Sequence, residues 1–214
     1  RRMVAVVDIW AASARTYLLP EYARTLTRDS IPDLAVQIAA TDQAAVRATL
    51  DFGSWFRGWA SDLSEWHLRK LVASVLSQLS INLAPFASAI NDPAVIEAAL
   101  ARNVALVRSV SDETRAKIAD AIFRGQQAGT STADVTREIS AVLGQSRDRA
   151  KRIATDQTAK LGATLDQQRQ EAMGFTHFKW WHSRKLHPRE YHVARDGKVY
   201  PWRGNDLNGD LPGI

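Results

Sequence analysis

RAKRIATDQTAKLGATLDQQRQEAMG, residues 149–174, runs directly into FTHFKWWHSRKLHPREYHVARDGKVYPW, residues 175–202. The reading of this stretch decides the fold. Its first half has helical periodicity. Ser146 is placed to cap a helix over 147–173 and Gly174 to close it. Ala150, Ile153, Ala154, Leu161, Leu165 and Ala172 form one apolar stripe. Arg149, Lys151, Arg152 and Lys160 project from the other faces near the start of that helix. Cations there oppose the helix dipole at a cost of a few tenths of a kcal/mol each. Two explanations are open: the cations await an acidic partner or phosphates, or they form ordinary i,i+4 pairs, Arg152 with Asp156 and Asp156 with Lys160.

The second half changes period. Phe178 and Trp180 fall on one face of an extended segment, and His177, Lys179 and Trp181 on the other, which predicts a half-buried strand over 175–182. Asp196-Gly197 is a tight-turn dipeptide, and a short strand, 198–202, follows it. Pro201 makes that strand an edge or terminal one.

Between the strands lie His182, Arg184, Lys185, His187, Arg189, Glu190 and His192. Three histidines spaced by five raise a zinc reading, with Glu190, Asp196 or His177 as the fourth ligand, since imidazole is the common zinc ligand. They also raise a metal-dependent nuclease of the small ββα kind. That reading lacks a helix after the second strand and an Asn between the histidines. The plainer reading gives the loop no chemistry: His182, Arg184, His187, Arg189 and His192 hydrogen-bond backbone carbonyls and carboxylates and so hold an irregular segment in shape. On that reading no residue is catalytic, none binds metal, and no cofactor is expected.

Upstream the chain reads as helices. Residues 2–29 come first, then Ser30-Ile31-Pro32 as a break and a helix over 32–50. Asp51-Phe52-Gly53 punctuates, and Ser54 caps a helix over 55–79. Trp55, Trp59, Leu63 and Trp66 share a face of that helix and read as a packing core rather than a partner surface. His67 reads as a packing or surface residue. Leu83-Ala84-Pro85 ends this section. Asn91-Asp92-Pro93 starts a helix to 110, Ser111 caps another over 112–128, and Gly129 stops it. Ser131-x-x-Asp134 is a capping-box start for a short helix over 132–143 that ends at Gly144. The weakest join is 80–92, so the chain divides into a helical arm, 1–90, and a domain, 91–214.

Composition sets the class. The chain has 214 residues, 45% apolar and 24% charged, enough for a buried core. With no cysteine there is neither a disulfide scaffold nor a thiolate metal site. No apolar run reaches the roughly 18 residues a membrane span needs. The chain begins at Arg1 and reads as part of a longer protein. Net charge is +5, and residues 147–214 hold all of the excess, with 13 Lys and Arg against 8 Asp and Glu. A basic end of this kind points to a polyanionic or acidic partner, or to a solvated face. Phosphate-cradling glycine loops, nucleophile elbows and HExxH are all missing.

Residues from about 101 to 214 resemble the phage Mu F-like head morphogenesis family. ARNVALVRSVSDETRAKIADAIFRG resembles its lead-in helices, and RIATDQTAKLGATLDQQRQEAMG its glycine-terminated helix. The most specific match is HFKWWHSRKLHPREYHVARDGKVYPW, carried by Pro188, Arg189, His192, Gly197 and Tyr200. Leu211-Pro212-Gly213 matches a segment after which the family usually continues into a Cys-x-Cys ending. The resemblance implies a mainly α protein with a small C-terminal antiparallel β module (α+β). It implies a structural minor capsid protein of a tailed phage, located in the virion at the portal vertex. Portal protein is the expected partner, major capsid protein and packaged double-stranded DNA are candidates, and no membrane is involved. Candidate DNA or portal contacts are Arg147, Arg149, Lys151, Arg152, Lys179 and Lys185. The rival functions are the metal-dependent nuclease and a non-specific DNA-binding module built on the same loop.

Overall fold

The computed structural model describes residues 2–26, 32–79, 93–182, 189–204 and 207. A 3-10 turn, Arg2–Val4, leads into α1, Ala5–Ser13, a π turn, Ala14–Leu18, and α2, Leu19–Thr25. Three long helices follow: α3, Pro32–Leu79; α4, Pro93–Ala128; and α5, Thr132–Ala172. The chain ends in β1, His177–Lys179, a short α6, Glu190–Arg195, and β2, Val199–Pro201. The protein is mainly α, with one two-stranded antiparallel sheet among the described residues, as the sequence predicts.

The breaks between helices differ from the expectation. Residues 32–79 form one helix rather than two, 93–128 one rather than two, and 132–172 one rather than two. The residues read as caps and stops are used in tertiary bonds instead. Ser111 lies inside α4, where its hydroxyl accepts from the Trp10 indole N–H at 3.0 Å. Ser146 lies inside α5, its hydroxyl 2.9 Å from that of Thr114. Gly53 lies inside α3, where a Cβ would sit 3.5 Å from a Val104 methyl. A glycine inside a helix costs about 1 kcal/mol relative to alanine, an amount that helix–helix packing readily exceeds. One consequence is that Arg147, Arg149, Lys151 and Arg152 sit in the middle of a 41-residue helix. The dipole penalty expected from a helix starting at 147 therefore does not apply.

Other local signals are realised. Ser131 and Asp134 form the capping box: the Asp134 N–H donates to the Ser131 hydroxyl at 3.2 Å, and that hydroxyl donates back to the Asp134 carboxylate at 2.6 Å. Gly129 and Gly174 close their helices at φ +63° and +83°, values that suit glycine. The predicted helix over 2–29 is interrupted by the π turn, where the Leu19 N–H bonds the Ala14 carbonyl. That wider turn places Pro20 at the start of α2, where no amide hydrogen is required. Ser30-Ile31, Leu83-Ala84-Pro85 and Asn91-Asp92 lie outside the described residues.

The tryptophan face of α3 is a correction. Trp55 and Trp66 are 36% and 49% exposed, and the buried line is Phe52, Phe56, Ala60 and Ser64. Both lines have helical spacing, so periodicity cannot rank them.

The residues pack as two compact units, 1–57 with 100–156, and 58–99 with 157–214. The expected division into 1–90 and 91–214 cuts the chain once; the packing groups residues from both sides of that cut. In the first unit Val7, Trp10, Leu18, Tyr22, Ile118, Ile122, Val135 and Ile139 are fully buried or nearly so. Buried hydroxyls tie its helices, Ser13 to Thr41 at 2.5 Å among them. In the second unit Leu161, Leu165 and Arg169 carry the buried face of α5. The predicted α5 stripe holds at Ala150, Leu161 and Leu165. Ala172 is exposed, and the buried line passes instead through Arg169. The Arg169 Nη2 donates to the Ser64 carbonyl at 2.8 Å and to its hydroxyl at 2.6 Å.

Candidate functional site

The β module grows from alternation. β1 pairs antiparallel with β2 in the register His177↔Pro201, Phe178↔Tyr200, Lys179↔Val199. The ladder extends at both ends: the Trp180 N–H donates to the Lys198 carbonyl at 2.8 Å and the Trp202 N–H to the Thr176 carbonyl at 2.9 Å. One face buries Phe178, Trp180, Trp202 and Leu207, with Tyr200 packed against them. The Phe178 and Trp202 rings lie 4.3 Å apart between centroids. A two-stranded sheet is marginal alone, so this aromatic cluster is what gives the module a fixed shape.

The predicted turn is present. Gly197 adopts φ +77°, and its N–H donates back to the Trp180 carbonyl at 2.9 Å. The Asp196 carboxylate accepts the His182 backbone N–H at 2.9 Å and so ties the end of β1 to the turn. The segment expected as loop contains α6. Its first turn carries Glu190, an acidic helix-start signal that the histidine spacing obscured.

The loop residues divide as follows. Arg184, Lys185, His187 and Pro188 lie outside the described residues. Arg189 sits at the N-cap of α6, and its Nη1 donates to the Tyr191 hydroxyl at 2.7 Å. The His192 ring lies 4.5 Å from Tyr191 and 5.3 Å from Trp180. Arg195, not singled out by the sequence, lies over both Trp180 and Tyr191, at 5.2 and 5.1 Å. Cations held over aromatic faces in this way contribute about 0.5–1 kcal/mol each where exposed. Among the described residues no group of three or more His, Asp or Glu comes together to hold a metal.

The opposite face of the sheet is open. Lys179 and Val199 are exposed partners across it, and Trp181, 69% exposed, lies beneath the Lys179 ammonium at 4.8 Å. Beside the module is a cleft of about 320 Å³ lined by Glu171, Gly174, Phe175, Thr176, His177, Pro201, Trp202 and Arg203. Arg203 closes its rim on Glu171, with Nε and Nη2 donating at 3.3 and 3.0 Å. That hydrogen bond holds the Glu171 carboxyl below its ordinary 4.5. No local pattern pairs these two residues, 32 positions apart.

The basic residues of α5 from Arg147 to Arg152 belong to the first unit and are largely engaged. Arg147 donates to Asp8 from Nε and Nη2 at 3.1 and 2.9 Å. Arg149 bonds Glu113 closely and donates to the Ser109 hydroxyl at 3.1 Å. Lys151 lies 3.5 Å from Asp148, and Arg152 is exposed. The Glu113 carboxyl is held below its ordinary range by its bond from Lys117, with Arg149 adding to the effect.

Residues 116–213, a little under half of the chain, match the family described as Phage Mu protein F like protein. An uncharacterized protein of Haemophilus influenzae (strain ATCC 51907 / DSM 11121 / KW20 / Rd) is 29% identical over 126 residues, which cover 58% of this chain. The chain spans only 28% of that relative's length. No solved structure gives a significant match. Among the described residues no helix is long and apolar enough to cross a membrane.

Proposed function

We propose that this chain is a structural minor capsid protein of a tailed phage, held at the portal vertex inside the head, where it aids head assembly and the packaging and ejection of DNA. The supporting observation is the family match over residues 116–213, which takes in the whole β module. The module's buried aromatic cluster and engaged side chains suit a rigid docking element. Portal protein is the proposed partner. Major capsid protein and packaged double-stranded DNA are further candidates. Lys179 and Arg152, exposed and basic, are the described residues best placed for such contacts; Lys185 stays a candidate on sequence alone. The test is cross-linking mass spectrometry on purified virions. Cross-links from Lys179 to portal protein support the proposal; absence of the chain from mature particles overturns it.

A non-specific DNA-binding role has its own support in the stacked cations at Lys179, Arg189 and Arg195. Phosphate neutralisation releases counterions, so affinity for duplex DNA must fall steeply with salt. Binding that does not change with salt assigns this charge to a protein partner. The nuclease reading rests on His182, His187 and His192; His187 lies outside the described residues, and the reading gains nothing from the described ones.

A further inference from the structure

We propose that the outer face of α3 between Val36 and Leu50 is the contact through which a second copy of this chain packs, helix against helix and in parallel. α3 already has a buried side in this region, formed by Leu34, Thr41, Ala45, Thr49 and Phe52. The opposite side is nevertheless apolar. Val36, Val46 and Leu50 are 62%, 47% and 64% exposed, among the most exposed large aliphatic side chains of the described residues. With Ala39 and Gln43, both exposed, they occupy positions 36, 39, 43, 46 and 50. That 3-4-3-4 spacing is the heptad seam by which one helix packs along another. The seam covers 15 residues and is therefore roughly 22 Å long.

The flanking charges identify the occupant. With Val36, Gln43 and Leu50 at the a positions, Asp42 falls at g and Arg47 at the following e. In a parallel, in-register pair, each g residue faces the e residue five positions on in the other helix. Asp42 then meets Arg47 of the second copy, and two-fold symmetry makes that ion pair twice. Asp42 is already oriented by Arg115, which donates to Oδ2 at 3.3 Å and leaves the other carboxylate oxygen to accept. Gln43 meets Gln43 of the second copy at the centre, where each amide can donate and accept, a polar a-position pair of the kind that fixes register. An antiparallel pair sets like flanks together and forms neither ion pair. The stripe is thus complementary to itself, and only in the parallel sense. Two heptads with a polar centre make a weak dimer, formed as local concentration rises.

The chain has no cysteine, so an introduced thiol is the only one present. The experiment uses the full chain in sedimentation equilibrium, with Leu50→Lys and Val36→Cys variants and Ser140→Cys as a surface control. The expected result is a concentration-dependent dimer that Leu50→Lys abolishes while its helical circular dichroism is unchanged. Under mild oxidation Val36→Cys links to itself and Ser140→Cys does not. In an antiparallel pair centred on Gln43 the two introduced thiols would stand roughly 20 Å apart, so failure of Val36→Cys to link overturns the parallel geometry. A wild-type chain that stays monomeric at all concentrations overturns the proposal, as does a dimer indifferent to Leu50→Lys. So does capture of the same face by portal protein in place of a second copy.

Discussion

Arg169 is fully buried, and replacing it tests how far a charge in the helix interface supports the fold. Its Nη2 makes two hydrogen bonds to Ser64, at 2.8 and 2.6 Å, and bonds from a charged donor contribute about 1.5–3 kcal/mol each. Its Nε and Nη1 are buried with no acceptor among the described residues, and each such orphan costs about 1–3 kcal/mol. The two contributions offset. Burial also pulls the guanidinium's affinity for its proton below the ordinary arginine value, a direction that Asp166 partly reverses. Arg169→Met removes the bonds and the orphans together and refills most of the space with a flexible apolar chain. Its expected effect on stability is within about 1 kcal/mol of zero. Arg169→Ala instead leaves a cavity; at about 24 cal/mol per Å³, an empty volume of roughly 100 Å³ costs about 2–3 kcal/mol. The assay is urea unfolding followed by tryptophan fluorescence on wild type and both variants. If Met proves as damaging as Ala, the guanidinium is strongly net stabilising and the offset described here is wrong.

Three further outcomes follow from other sites. Gly125→Ala places a Cβ 2.7 Å from the Tyr22 hydroxyl and 2.8 Å from a Val135 methyl. Tyr22 is fully buried and donates to the Thr130 carbonyl at 2.7 Å, so the overpacking should cost about 1–3 kcal/mol despite alanine's better helix propensity; a rise in melting temperature would contradict it. Ser111→Ala strands the buried Trp10 indole N–H and should cost about 1–3 kcal/mol, while Trp10→Phe with Ser111→Ala should cost less than the two single changes summed. Strict additivity in that cycle would show that the 3.0 Å bond carries no coupling. The Glu171 carboxyl sits below its ordinary 4.5 because Arg203 bonds it. Its contribution is therefore complete above about pH 4.5 and fades as pH falls through the lower folded value. Arg203→Ala should flatten that part of the acid-stability curve, and an unchanged acid limb would remove Glu171 from the account.

The class of fold and the β module were legible from the chain alone because their signals are local. Phe178 and Trp180 alternate with His177 and Lys179, and Asp196-Gly197 can only turn. Ser131 with Asp134 caps, and glycine stops a helix where φ must be positive. Charge could be counted by region, and the order of motifs from 149 to 202 was enough to resemble a family. What local reasoning got wrong was continuity. Ser111, Ser146 and Gly53 carry the same local preferences whether a helix ends there or passes through, and the choice was made by Trp10, Thr114 and Val104, which lie 101, 32 and 51 positions away along the chain. Only the tertiary structure could choose between the tryptophan line of α3 and the line through Ala60 and Ser64. It alone committed Arg147 to Asp8 and Arg149 to Glu113, and left Val36, Val46 and Leu50 facing outward. Periodicity tells which residues share a face; which face is buried depends on what another part of the chain brings against it.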